Sequence, residues 1–160
     1  MRVKGALLAV VIVLVSVTLI PTSSASAAAG KHRTQRRKLV KVYFYHEPGE
    51  YLDLAPGKRY VNAVSPARAA TAALLGGPTT EEQSRGFDEL ASADQFRIGS
   101  LQIKGGTARI NFLVSQTWAG FPGDIAPYRF KKAVELTLRQ FPNVRRVIVT
   151  LNGDPNFAED

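Results

Sequence analysis

The sequence predicts an α/β (α+β) fold, with a single mixed β-sheet and two main helices packed on one of its faces. Runs rich in β-branched and aromatic residues alternate with turn signals, which is typical of short strands. Two segments, 66–75 and 125–141, instead place apolar residues three and four positions apart, as amphipathic helices do. The length of 160 residues and the hydrophobic content of 45% indicate one domain with its own core.

Residues 1–29 are predicted to be an export signal and not part of the fold. Arg2 and Lys4 precede a mainly apolar run at 6–20, and small residues around Ala27 offer a cleavage site. As a helix this run would be about 22 Å long, short of the roughly 30 Å hydrocarbon core of a bilayer. The domain is therefore expected to be extracytoplasmic, either secreted after cleavage or held at the membrane by an uncleaved signal.

Residues 30–38 are predicted to form a flexible basic tail. The formal net charge of the chain is +8, and the seven cations that precede Leu39 account for all but +1 of it. Because the remaining residues are nearly neutral, we expect no nucleic-acid interface on the folded part. Five of the cations are candidate contacts for an anionic envelope polymer: Lys31, Arg33, Arg36, Arg37 and Lys38. A plain flexible spacer is the structural alternative for this segment.

The first predicted strand is LVKVYFYH at 39–46, which is rich in β-branched and aromatic residues and is typical of a buried strand. Pro56 and Gly57 form a turn signal after it. A short second strand is predicted at 59–64, RYVNAV.

Local start and stop signals bound the first helix. Ser65 is a favourable N-cap, and Pro66 suits the first helical position, where its missing N–H costs nothing. The GGP sequence at 76–78 ends the helix. Thr79 and Glu82 then fit a capping box, which predicts the start of a second, short helix.

A hairpin is predicted around Gly105 and Gly106. Apolar residues alternate with polar ones on both sides of this pair, and two adjacent glycines readily adopt the positive φ angles of a two-residue turn. The segment that follows, 115–126, is rich in Gly and Pro and is predicted to be a loop.

The last helix is predicted at 125–141, with Asp124 as its N-cap. Its apolar face begins at Phe130 and closes at Phe141, and the proline that follows cannot continue the helix. The strand after it, at 144–151, has apolar residues on both faces. We therefore expect it to lie in the centre of the sheet.

Four stretches resemble the GerMN domain, the sporulation and spore germination module of bacterial envelope proteins. They are VYFYH, ARAATAALLGGPTTEEQSRGF, GSLQIKGGTARINF and ELTLRQFPNVRRVIVTLNG. The most specific of these sequence motifs are the ALLGGPT helix end, the GGTARIN hairpin and the junction from TLRQFP to NG. The predicted domain then spans residues 39–154, and residues 155–160 are a C-terminal tail.

The resemblance implies an extracytoplasmic domain, often tethered to the membrane, with kinship to ring-building motifs that pack into oligomers. It implies no established catalysis. Many relatives are lipoproteins, but this chain has no cysteine, so it cannot carry a lipid on one. Position 152 is asparagine where the family usually closes on Asp-Gly, which weakens any role of this position as a base or a cation ligand.

Several polar residues are candidates for chemistry, each with a structural alternative. Thr137 and Gln140 are either ligand contacts or side chains that hydrogen-bond backbone at the edge of the sheet. His46 is either a general base or a side chain at the end of a strand. Asp88 and Glu89 are adjacent, so they do not face each other as a glycosidase pair must.

Trp118 and Phe121 are the predicted partner contacts. They lie in the 115–126 loop, and aromatic anchors dominate protein interfaces. The structural alternative is a loop that folds its aromatic side chains over the edge of the core.

The function predicted from the sequence is non-catalytic binding or assembly in the cell envelope, linked to sporulation or spore germination. We expect no catalytic residue, no metal and no cofactor. The partner would be an envelope protein, an anionic envelope polymer or a second copy of the chain. Two alternatives stay open: an envelope hydrolase or other enzyme with an unrecognised site, and a protein that binds anionic polymer through its tail alone.

Overall fold

The structure, a computed structural model, describes residues 36–47 and 53–159, and the predicted signal and most of the predicted tail lie outside them. Nine helices and strands follow one another in these residues. They are β1 (Arg37–His46), β2 (Leu54–Asn62), α1 (Pro66–Leu75), α2 (Thr80–Gln83), β3 (Phe87–Asp88), β4 (Phe96–Lys104), β5 (Thr107–Val114), α3 (Ala126–Arg139) and β6 (Arg146–Leu151). None of the described helices is long and apolar enough to cross a bilayer.

The predicted α/β class is confirmed, but the strands form two sheets and not the single sheet expected from the sequence. Sheet A has the order β2-β1-β3, and sheet B has the order β4-β5-β6. Pairing is antiparallel except between β5 and β6, which are parallel because α3 crosses between them. Helices α1 and α3 pack against each other, and both contact strands of each sheet.

Strand β1 begins at Arg37, two residues before the predicted start. Arg37 pairs with Asn62, and Lys38 pairs with Val61. These two basic residues therefore belong to sheet A and not to a flexible tail.

Pro56 and Gly57 lie inside β2 and do not form the predicted turn. They are opposite Tyr43 and Val42 of β1. Proline is tolerated here because β2 is an edge strand, where a missing N–H breaks no ladder bond. Glycine at position 57 leaves room for the carboxylate of Glu82, which would have to shift if a Cβ atom were present there.

The predicted helix boundaries and hairpin are confirmed between α1 and β5. Pro66 starts α1, and Ser65 occupies the N-cap position without a side-chain hydrogen bond. Both halves of the capping box at α2 are present. The turn between β4 and β5 has positive φ angles at both glycines, 58° at Gly105 and 78° at Gly106.

Helix α3 and strand β6 depart from prediction at their ends and in their position. The N-cap is Ile125 and not Asp124, and no side chain caps the helix. Ile125 has helical backbone angles of −83° and −27°, and its side chain has no hydrogen-bonding atom. Pro127 in the first turn lowers the number of N–H groups that need a cap. Strand β6 pairs with β5 alone and is an edge strand of sheet B, so its predicted central position was wrong.

The core is one cluster formed between the two sheets and the two longer helices. On α3, the side chains predicted to face inward are buried: Phe130, Val134, Thr137 and Leu138. The segment after β6 contributes to this core as well, since Phe157 packs on it and Ala158 is buried. Both residues lie within 155–160, the segment predicted to be a C-terminal tail.

Candidate functional site

Thr137 of α3 and Gln140, the C-cap residue of that helix, hydrogen-bond the backbone of β1, which confirms their structural alternative. The Gln140 side-chain amide accepts a hydrogen bond from the Lys41 N–H at 2.8 Å and donates one to the Lys41 carbonyl oxygen at 2.7 Å. Thr137 Oγ1 accepts from the Tyr43 N–H at 3.4 Å. The helix thus occupies the edge of β1 where a further strand would pair, which explains why sheets A and B remain separate.

An ion pair between Arg59 and Glu82 connects β2 to the ALLGGPTTEE segment. The two guanidinium nitrogens donate to the two carboxylate oxygens at 2.8 and 2.6 Å, and Nη2 also donates to the Gly77 carbonyl oxygen at 3.2 Å. The side chains are only 17% and 7% exposed. The Arg59 hydrogen bonds, aided by the Thr79 backbone N–H, lower the pKa of Glu82 from 4.5 to about 2. This carboxylate is therefore ionised at neutral pH, and its two oxygens accept hydrogen bonds that stabilise the fold.

The other ionisable candidates do not converge. The His46 ring packs edge-on against Phe87 at 4.8 Å, at the end of β1. Asp88 lies in β3 and Glu89 directly after it, and both are exposed. Within residues 36–47 and 53–159, no group of three His, Asp or Glu side chains is placed to hold a metal ion. Four cavities bounded by described residues each have an arginine as their single ionisable lining side chain.

The loop aromatics, Trp118 and Phe121, pack over the edge of the core. Trp118 contacts Phe96 and Phe121 with ring centroids 5.2 and 5.1 Å apart, both in edge-to-face arrangements. Phe121 in turn lies 5.7 Å from Phe130 and 6.2 Å from Phe157. Both loop side chains remain partly exposed. Their structural role is therefore visible in the fold, and their contact with a partner stays a prediction.

Replacing Trp118 with alanine is expected to lower the free energy of unfolding by about 1 to 3 kcal/mol, because two aromatic contacts and a half-buried ring are lost. Urea denaturation measures this change. An unchanged denaturation midpoint combined with weaker partner capture would instead assign the ring to an interface.

The described part of the basic tail runs along the start of sheet A. The Arg36 carbonyl oxygen accepts a hydrogen bond from the Ala63 N–H at 2.9 Å, while the Arg36 and Arg37 side chains are exposed. The Lys38 ammonium lies 5.4 Å from the centre of the Phe141 ring. Lys31 and Arg33 lie outside the described residues, so their polymer contact stays a prediction.

A polar network at the carboxyl ends of β5 and β6 was not predicted. Asn111 Oδ1 accepts hydrogen bonds from Thr150 Oγ1 at 2.8 Å and from the Gly153 N–H at 2.9 Å. Next to it, Asn152 Oδ1 accepts from the Val114 N–H at 3.3 Å. The GGTARIN and NG stretches thus meet in space, although Asn111 and Gly153 are 42 residues apart in the chain. Little in the sequence signals it, because Asn111 follows Thr107 and Arg109 at the regular polar positions of β5.

This network borders a shallow cavity of about 380 Å³ on the outer face of sheet B. It is named here the sheet B cavity. Its lining residues are Ser100, Arg109, Ile110, Asn111, Ile148, Thr150, Gly153 and Pro155. On β5 and β6 these residues extend from the middle of the strands to the turn that follows β6.

Comparison with known structures places the fold. The first GerMN domain of the sporulation protein GerM from Bacillus subtilis is similar with a TM-score of 0.56 and 24% identity, over 73% of this chain and 84% of that one. The tandem GerMN domains of the same protein match with a TM-score of 0.53 and 21% identity, over 80% of this chain and 43% of that one. At these identities the likeness concerns the fold alone. No curated protein sequence matches the chain.

A family model described as Germane, sporulation and spore germination, matches residues 41–157. These bounds include Phe157, in agreement with its packing on the core. The match confirms the resemblance to the GerMN domain that the four sequence stretches indicate. Because the match extends over well more than half of the chain, this protein belongs to the Germane family of sporulation and spore germination domains.

Proposed function

We propose that this protein is a non-catalytic, exported binding or assembly module of the cell envelope that serves sporulation or spore germination. Membership in the Germane family supports the process. The predicted signal at 1–29 supports export. Because the 160 residues contain no cysteine, we propose the signal as the means of attachment to the membrane.

One observation carries the non-catalytic part of the proposal. Three polar side chains of the family-like stretches hold the fold: Gln140 and Thr137 bind the β1 backbone, and Glu82 binds Arg59. A catalytic acid, base or nucleophile would instead face a cleft with a second polar group within reach. These three contacts support a structural role for their residues, as a non-catalytic module requires.

Affinity capture from cross-linked native envelope tests this proposal. We expect the protein to fractionate outside the cytoplasm and to cross-link to one or a few envelope components, or to itself. Recovery of the protein in the cytoplasm, or turnover of envelope glycan or peptide by the purified protein, would contradict it.

The tail is expected to add weak, salt-dependent retention at the envelope. Each cation near an anionic surface contributes about 1 kcal/mol, and the attraction fades within a Debye length of about 8 Å at physiological salt. Arg36 and Arg37 are exposed and available for this. We expect replacement of Lys31, Arg33, Arg36 and Arg37 with glutamine to abolish retention at low salt, measured by co-sedimentation with purified envelope.

Substitution is preferred to deletion of residues 31–38, because deletion would also remove the first two paired residues of β1. The matched control replaces four exposed cations elsewhere on the domain: Lys58, Arg97, Lys104 and Lys132. Both variants should melt like the wild type. Equal loss of binding in the two variants would show that overall charge matters and that the tail has no special role.

A further inference from the structure

We propose that the sheet B cavity is a binding site for the carboxylate group of a small ligand. This inference goes beyond the assembly role and does not depend on it. It rests on three features of the cavity: an amide whose orientation is fixed, an arginine as the one charged lining side chain and an apolar wall.

The orientation of the Asn111 amide is determined by its neighbours. A backbone N–H can only donate, so the atom that contacts the Gly153 nitrogen at 2.9 Å must be the oxygen Oδ1. The Thr150 hydroxyl donates to the same oxygen at 2.8 Å. With Oδ1 engaged twice, the Nδ2 group is held in place with two N–H donors to offer, and Asn111 lines the cavity.

The strand register places further donors beside this amide. Asn111 lies between Ser100 of β4 and Thr150 of β6, so the three form one row across the sheet. Arg109 precedes Asn111 by two residues on β5, so both side chains point to the same face. The cavity thus combines a guanidinium group, a fixed amide and a hydroxyl.

The one charged side chain that lines the cavity is Arg109. None of its lining residues is acidic. Arg109 is exposed and takes part in neither of the two ion pairs found in the described residues. A planar guanidinium next to neutral N–H donors is complementary to a carboxylate, which accepts two parallel hydrogen bonds.

A single cation favours a monoanion over a phosphate monoester, which carries nearly two charges at neutral pH. Ile148 and Pro155 add an apolar wall to the cavity, which suits a small alkyl group beside the carboxylate. A peptide with a free carboxyl terminus and a sugar acid both present this chemistry.

NMR titration of the ¹⁵N-labelled full-length protein tests the proposal. The probes are N-acetyl-alanyl-alanine, the same dipeptide with an amidated carboxyl terminus, glucuronate and inorganic phosphate. We expect saturable shifts of the Asn111 side-chain amide and the Gly153 N–H with one or both carboxylates. The amidated peptide and phosphate should bind at least about tenfold more weakly, because hydrogen bonds to a charged group are lost or mismatched. The tighter binder of the two, the dipeptide or glucuronate, identifies whether the natural ligand is a peptide terminus or a sugar acid.

Two variants and a control decide whether the cavity itself binds. Asn111→Asp keeps an oxygen for Thr150 and Gly153 but replaces the donor group with a second anionic oxygen, and should abolish binding. Arg109→Gln should weaken binding about tenfold. Lys104→Gln removes the same charge from an exposed residue of β4 that does not line the cavity, and should bind like the wild type.

Three results would overturn the proposal. They are no saturable shift with either carboxylate, equal binding of the free and amidated peptides, and equal weakening by Lys104→Gln and Arg109→Gln. If Asn111→Asp does not fold, the comparison of the other two variants still decides the matter.

Discussion

Replacing Phe130 with alanine is expected to lower the free energy of unfolding by about 3 to 5 kcal/mol, the usual cost of removing a buried phenylalanine. The side chain is 0% exposed and lies in the middle of an aromatic cluster. Its ring centroid is 5.2 Å from Phe96, 5.0 Å from Phe112, 5.7 Å from Phe121 and 6.4 Å from Phe157. These rings join β4, β5, the loop and the C-terminal segment to α3, so the resulting space cannot be filled by the shift of one neighbour.

Urea denaturation of matched variants measures this cost. Phe130→Leu keeps most of the volume and should cost about 1 kcal/mol. Tyr60→Ala removes an aromatic ring that is 69% exposed, and should change stability by less than about 0.5 kcal/mol. Phe141, which is 4% exposed at the end of the same apolar face, should behave like Phe130. Equal midpoints for Phe130→Ala and Tyr60→Ala would refute the packing described for α3.

Acidification is expected to remove about 3 kcal/mol of stability through Glu82. Its pKa is about 2 in the folded protein and 4.5 when unperturbed. As the pH falls below 4.5, the unfolded chain takes up a proton before the folded protein does, so unfolding becomes more favourable. The stabilisation is therefore complete above about pH 5 and is lost as the pH falls from 4.5 towards 2. A difference of this size corresponds to about 3 kcal/mol.

The variants Glu82→Gln and Glu81→Gln separate this effect from general acid denaturation. Glu81 precedes Glu82 in α2 and is exposed, so its replacement should leave the acid transition unchanged. Glu82→Gln should already be destabilised at pH 7, because Arg59 then keeps a partly buried charge without its partner. Its stability should fall less steeply than that of the wild type below pH 4.5. Parallel curves for wild type and Glu82→Gln would show that the ion pair does not set the acid sensitivity.

Elements that depend on neighbouring residues were predictable from the sequence. The capping box at α2 and the Gly105-Gly106 turn are each determined within four residues, and both are present. The number of sheets was not predictable, because it depends on a contact between Gln140 and Lys41, which are 99 residues apart. Pro56-Gly57 shows the same limit, since pairing with Tyr43 and Val42 of β1 places a local turn signal inside a strand.

The candidate site was less predictable than the fold. The residue types of Trp118 and Phe121 predict a partner contact, but their contacts with Phe96 and Phe130 depend on the path of a long loop. The sheet B cavity requires the parallel register of β5 and β6, and no periodicity in either strand reveals which residues will be opposite. Separately, each of these polar residues resembles an ordinary strand or turn residue.

The hydrogen bonds that Thr137 and Gln140 make to the backbone of β1 limit how copies of this domain can associate. Along one side of β1, hydrogen-bonding groups are occupied at Lys41 by Gln140, at Tyr43 by Thr137 and at Tyr45 by β3. An unprotected row of this kind is a template for amyloid-like growth and for exchange of strands between chains. With the row filled from within, a neighbouring molecule cannot extend sheet A on this side unless α3 first withdraws. Assembly through this side of β1 must then be built by contact between finished surfaces, which can form and separate without unfolding its members.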